Sequence, residues 1–160
     1  MAGQHASGAG DRVALVIAES AIRQLHARYA DACWRRDAEA LRDCFTADAV
    51  WDFSSGAQQG PDAIVAFLAT GFTHYRRILV TCGTPIVTLK SEGASARTWL
   101  VEDGVRADGA RYRLIGHYSE RFANQGGGWR IAWRRFQPHF SGLPGMTGDF
   151  IDVPDPGPPG

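Results

Sequence analysis

Three side chains of this 160-residue chain could move a proton in an apolar setting: Tyr29, Glu120 and His117. Tyr29 recurs with Ile22, Leu25 and Cys33 at steps of three and four, which puts it on the apolar face of a helix. There its hydroxyl could donate to a substrate carbonyl or a developing enolate, or be tied to backbone as a core tyrosine. Glu120 falls in the alternating set Tyr112, Leu114, Gly116, Tyr118, Glu120 and Phe122. A carboxylate on such an apolar face must be paired or protonated. The first option is a salt bridge to Arg135 or another basic neighbour, the second a desolvated acid or base with a raised pKa. His117 belongs to the opposite face with Arg113, Ile115, Ser119 and Arg121. It points outward, in a surface or dimer-interface role, unless a bulge near Gly116 reverses the phase. Facing inward, it could serve as a general base near neutrality. Glu102 and Asp103 compete for the acid/base role, but their place before Gly104 suggests a solvated strand end. His26, His74 and Asp31 read as structural or solvated.

The aromatic residues are numerous, with five Trp, eight Phe and four Tyr. Trp51, Phe53, Phe67 and Tyr118 are candidates to line a cavity. Trp34, Trp99 and Trp133 join them, with Val80 and Arg135 as further ligand contacts. Such a wall suits a planar substrate held by shape and stacking. No glycine-rich phosphate loop, metal-ligand spacing, Gly-x-Ser-x-Gly elbow or Cys/His pair occurs, so neither a cofactor nor a metal is expected.

The elements that must position these groups follow from periodicity. A helix spans about 13–36, and Asp37 reads as the N-cap of a second. Ala49 to Phe53 is a short strand ended by Ser54-Ser55-Gly56. Gly60-Pro61-Asp62 opens a third helix that Gly71 stops. The period then changes to two, and four long strands are predicted over 76–89, 94–105, 110–123 and 128–139. Short turns join them into an antiparallel meander. Helices first and strands later make an α+β domain over 13–139. Residues 1–12 read as a disordered N-terminus, and 140–160 as a Gly/Pro-rich tail with 140–150 a candidate lid over the pocket.

The chain carries 17 basic and 17 acidic residues, which argues against nucleic-acid or anionic-membrane partners. No apolar run is long enough for a membrane span and no signal peptide is evident. Cys33, Cys44 and Cys82 are odd in number, consistent with buried thiols and a cytoplasmic location.

Four segments together resemble SnoaL-like proteins of the nuclear transport factor 2-like superfamily. They are Ile22-Arg-Gln-Leu-His-Ala-Arg-Tyr-Ala-Asp-Ala, Arg36-Asp-Ala-Glu-Ala-Leu, Ala49-Val-Trp-Asp-Phe and Gly128-Trp-Arg-Ile-Ala-Trp-Arg-Arg-Phe. The superfamily includes polyketide cyclases, scytalone dehydratase and ketosteroid isomerase. The resemblance implies a curved antiparallel sheet forming a cone-shaped barrel closed by three N-terminal helices. It also implies a pocket for a small apolar molecule and a homodimer through the convex sheet face. The aspartate, histidine and tyrosine that dehydratase members use fall here on Trp34, Val80 and Phe53, none of which transfers a proton. A first-helix tyrosine is kept as Tyr29. The resemblance therefore implies a cofactor-independent cyclase or isomerase on a polyketide-like intermediate. The alternatives are a dehydratase or hydrolase with a relocated acid/base pair, and a non-catalytic small-molecule-binding domain.

Overall fold

In the computed structural model α1 spans Ala9–Arg35, so four residues of the expected disordered segment are already helical. The structure describes residues 8–53, 56–145 and 149–150. The remainder of the N-terminal segment, Ser54-Ser55, and most of the expected tail lie outside the described residues.

Ile22, Leu25, Tyr29, Ala32 and Cys33 form the buried stripe of α1. Asp37 caps α2, Ala38–Arg42, its Oδ1 accepting from the Ala40 N–H at 3.0 Å. Strand β1 runs Phe45–Phe53 and pairs antiparallel with β2, Gly56–Gln59. Helix α3, Pro61–Phe72, begins at the predicted proline and buries Ile64, Val65 and Phe72.

The predicted first long strand is two strands, β3 (Tyr75–Cys82) and β4 (Ile86–Leu89). Pro85 has no N–H to give a ladder, and the Gly83 N–H instead donates to the Trp99 carbonyl at 2.7 Å. Strands β5 (Ala94–Arg106), β6 (Arg111–Gln125) and β7 (Gly128–Gly142) form the expected meander. The strand order is β2-β1-β7-β6-β5-β3, with β4 also on β5. A two-residue strand β8, Asp149–Phe150, pairs with the end of β7. Residues 140–142, the start of the expected lid, thus continue a strand.

The α+β class and the cone-like layout hold, with the three helices against one face of a curved, unclosed sheet. One pairing departs from the all-antiparallel expectation. β1 takes the free edge of β7 and runs parallel to it, so the sheet is mixed. No helix among the described residues is long and apolar enough to cross a membrane.

A bulge decides which residues of β7 face the core. Phe122 opposes Ile131, but Arg121 opposes Trp133 and Glu120 opposes Arg134, so Ala132 is an extra residue. The alternation of Trp129, Ile131, Trp133 and Arg135 therefore breaks. Ile131 and Arg134 are buried, while Trp133 and Arg135 turn outward.

Candidate functional site

The helices and the concave sheet face enclose a cavity of about 250 Å³. α1 contributes Tyr29 and Cys33; β1 contributes Trp51 and Phe53; α3 contributes Phe67, Leu68 and Phe72. From the strands come Tyr75, Ile78, Val80, Leu100, Glu102, Leu114, Tyr118 and Phe136. Much of the wall is continuous aromatic surface. The rings of Trp51 and Phe53 stack at 4.6 Å, and those of Phe53 and Phe67 lie 4.3 Å apart. The Trp51 indole N–H is buried without a hydrogen-bond partner among the described residues.

Glu102 is the only ionisable carboxyl among the described lining residues. Its Oε1 accepts from the Tyr112 hydroxyl at 2.5 Å. Gly104 makes that contact possible. A Cβ there would sit 2.2 Å from the Tyr112 ring, which packs against the bare backbone at this position. Desolvation raises the Glu102 pKa above the usual carboxylate range, and the Tyr112 bond offsets part of that rise. The expectation of a solvated strand end is thus overturned. Leu100 and Glu102 share the inward face of β5, and that alternation was the available signal.

Glu120 also faces inward, but it sits behind the pocket wall and does not line the cavity. Its Oε1 accepts from Arg134 Nε at 2.9 Å and Nη2 at 2.6 Å. Its Oε2 contacts His26 Nε2 at 2.8 Å and accepts from the Thr98 hydroxyl at 2.9 Å. Burial alone would push its pKa up, but the charges and hydrogen bonds of His26 and Arg134 outweigh burial and hold it well below the ordinary range. The reading of Glu120 as an acid with a raised pKa is therefore corrected. Its partner is Arg134 and not Arg135. The Arg134 guanidinium lies 4.0 Å from the Tyr118 ring centroid and 4.4 Å from that of Tyr29, backing two rings that line the cavity.

Tyr29 and Tyr118 are both raised by burial, so their hydroxyls keep their protons and act as neutral donors. Burial also pushes the Cys33 thiol up to about 12, which removes it as a thiolate nucleophile near neutrality.

Other expected site residues lie elsewhere. His117 is buried on the opposite side of the sheet, its Nδ1 2.8 Å from His139 Nε2 and its ring beside Trp99. A bulge near Gly116 does occur, but the extra residue is in β7 and leaves the phase of β6 intact. Trp99 is 45% exposed on that outer face. Trp133 is also outward, beneath the guanidinium groups of Arg121 and Arg135. Arg135 pairs with Asp52 at 2.5 Å. Trp34 is 52% exposed on the flank of α1 that faces away from the cavity. The helical stripe ends at Cys33, and its neighbour in sequence turns out to solvent. Trp51, Phe53, Phe67, Val80 and Tyr118 line the cavity together with Tyr29.

The profile of a SnoaL-like domain matches residues 15–135. No curated protein matches the chain. Among solved structures, Rv3472, a protein of unknown function from Mycobacterium tuberculosis, is 26% identical with a TM-score of 0.70, over 83% of this chain and 77% of that one. A provisionally named scytalone dehydratase from Novosphingobium aromaticivorans superposes with a TM-score of 0.77 at 16% identity, over 91% and 96% of the two chains. The type 2 hexachlorocyclohexane dehydrochlorinase LinA gives 0.75 at 15% identity, over 91% and 99%. At these low identities the last two establish the fold alone.

Proposed function

Because the chain belongs to the SnoaL-like domain family, we propose that it is a cofactor-independent isomerase or cyclase acting on a small apolar, polyketide-like intermediate, with Glu102 as its proton-transfer group. The observation that carries this reading is one desolvated carboxyl, hydrogen-bonded to Tyr112, in an otherwise apolar aromatic pocket.

A carboxyl with a raised pKa can take a proton from a carbon beside a carbonyl and return it elsewhere on the same molecule. Neutral Tyr118, and Tyr29 once it leaves its hydrogen bond to Cys33, are the donors the cavity wall offers an enolate oxygen. The dry aromatic wall holds a planar ligand in one conformer, which favours isomerisation or ring closure.

Tyr29, Tyr118 and Cys33 hold their protons more tightly than in water, so in an elimination only protonated Glu102 would be left to assist the leaving group. Isomerisation needs no second acid, which is why it is preferred to dehydration. The test is exchange of the α-protons of a planar ketone such as 2-tetralone with solvent deuterium, followed by NMR. The wild type should accelerate exchange, and Glu102→Gln should lose it by about 100-fold or more. Undiminished exchange in the variant would sink the assignment.

A further inference from the structure

We infer that the ligand of the Glu102 pocket carries an anionic group, a carboxylate or a phosphate, which Arg36, Arg76 and Arg77 hold beside that pocket. The inference rests on the reading of this pocket as the ligand site and adds a charged end to the apolar body assigned to that ligand above.

A second cavity of about 290 Å³ is lined by Trp34, Arg36, Arg76, Arg77 and Ile78. It shares a wall with the first. Ile78 lines both. The Arg36 guanidinium lies 6.0 Å from the Phe72 ring centroid, and its Nη2 donates to the Tyr75 carbonyl at 2.6 Å. Phe72 and Tyr75 both line the Glu102 pocket.

Two local departures from regular backbone bring the arginines together. Arg36 ends α1 in the left-handed region at φ 55, where a residue with a Cβ is uncommon. Arg76 is the extra residue of a β-bulge, since Tyr75 opposes Arg106 while Arg77 opposes Val105. In a regular strand Arg76 and Arg77 would point to opposite faces; here both line one cavity.

Among the described residues, no acidic side chain lines this cavity. Arg76 Nε donates to the Ala107 carbonyl at 2.9 Å, and Arg77 Nη1 to the Arg76 carbonyl at 2.9 Å. Neither these two nor Arg36 pairs with a carboxylate among the described residues. Arg35, Arg42, Arg113, Arg134 and Arg135 do, whereas Arg106, Arg121 and Arg130 also lack one but line no common cavity with these three. With 17 charges of each sign in the chain, the local imbalance is a matter of placement and not of composition. Three guanidinium groups with unused donors favour an anion strongly, because each offers a planar fork of N–H groups. The exposed Trp34 indole also lines this cavity and offers a flat surface beside the arginines.

The test uses two fluorescent probes with the same aromatic body. 8-Anilinonaphthalene-1-sulfonate carries an anion, and N-phenyl-1-naphthylamine does not. The wild type should bind the sulfonate at least tenfold more tightly, with the preference shrinking as salt is raised. In the double variant Arg76→Gln/Arg77→Gln the preference should vanish while the neutral probe binds as before, which also shows that the variant is folded. Naphthoate and naphthyl phosphate, competed separately, rank carboxylate against phosphate, and at least one should displace the probe tenfold better than neutral naphthamide. Equal binding of the two probes by the wild type overturns the anion site and leaves the pocket standing. A preference that survives in the double variant also overturns it. If neither probe binds, the pocket reading falls as well.

Discussion

At the scale of single residues, fully buried Glu120 and partly buried Glu102 face the same side of the sheet and have opposite electrostatic fates. Glu120 is ringed by His26, Thr98 and Arg134, so its folded pKa is depressed. Its contribution to stability is fully present above its ordinary value of 4.5 and is lost as pH falls through the depressed folded value. Glu102 has the opposite sign. Its raised folded pKa means that its contribution is present below 4.5 and is lost as pH rises through the folded value. Glu102→Gln should therefore melt at a higher temperature than the wild type at neutral pH while losing proton exchange, and calorimetry at pH 7 checks this. A lower melting temperature would mean that the carboxylate is well solvated. Removing Arg134 alone leaves the Glu120 charge buried and unpaired, so Arg134→Met should cost about 3–5 kcal/mol in urea unfolding. Sequence patterning placed Glu120 inward correctly. The same patterning misplaces Glu102, because Gly104 reads as a strand end although that glycine makes room for the Tyr112 ring.

At the scale of elements, the glycine at position 104 and the bulge at Ala132 do the positioning. Gly104→Ala would drive a methyl into the Tyr112 ring, so the variant should lose about 1–3 kcal/mol and its Tyr112–Glu102 bond. Its acid/base profile should then resemble that of Tyr112→Phe. An unchanged profile would show that the hydroxyl does not hold the carboxyl. The helix stripe, the Asp37 cap, the Pro61 start and three of the four long strands were legible because each is a local pattern. The bulges were not. An extra residue changes the side-chain phase without any distinctive composition, so strand alternation alone points Trp133 and Arg135 inward in place of Arg134 and Phe136. The parallel pairing of β1 with β7 is likewise a long-range contact that strand alternation does not encode.

At the scale of the molecule, the convex sheet face is where an assembly would form. Leu79, Ile86 and Trp99 are exposed there, outward in register from Val80, Val87 and Leu100 on the buried face. We propose that the homodimer expected from the family resemblance buries this face. Sedimentation should then show a dimer that Trp99→Glu converts to monomer; a wild type that is already monomeric would refute it.

The central claim is that Glu102 moves the proton, and the pH profile of α-proton exchange tests it most directly. The account predicts that activity falls on the acid side at a pH above the ordinary carboxylate range, as Glu102 becomes protonated. In Tyr112→Phe that limb should move to still higher pH, because a hydrogen bond that favours the carboxylate is gone. In Glu102→Gln the exchange should be lost altogether. A limb that stays in place in Tyr112→Phe, together with full exchange in Glu102→Gln, would contradict the account.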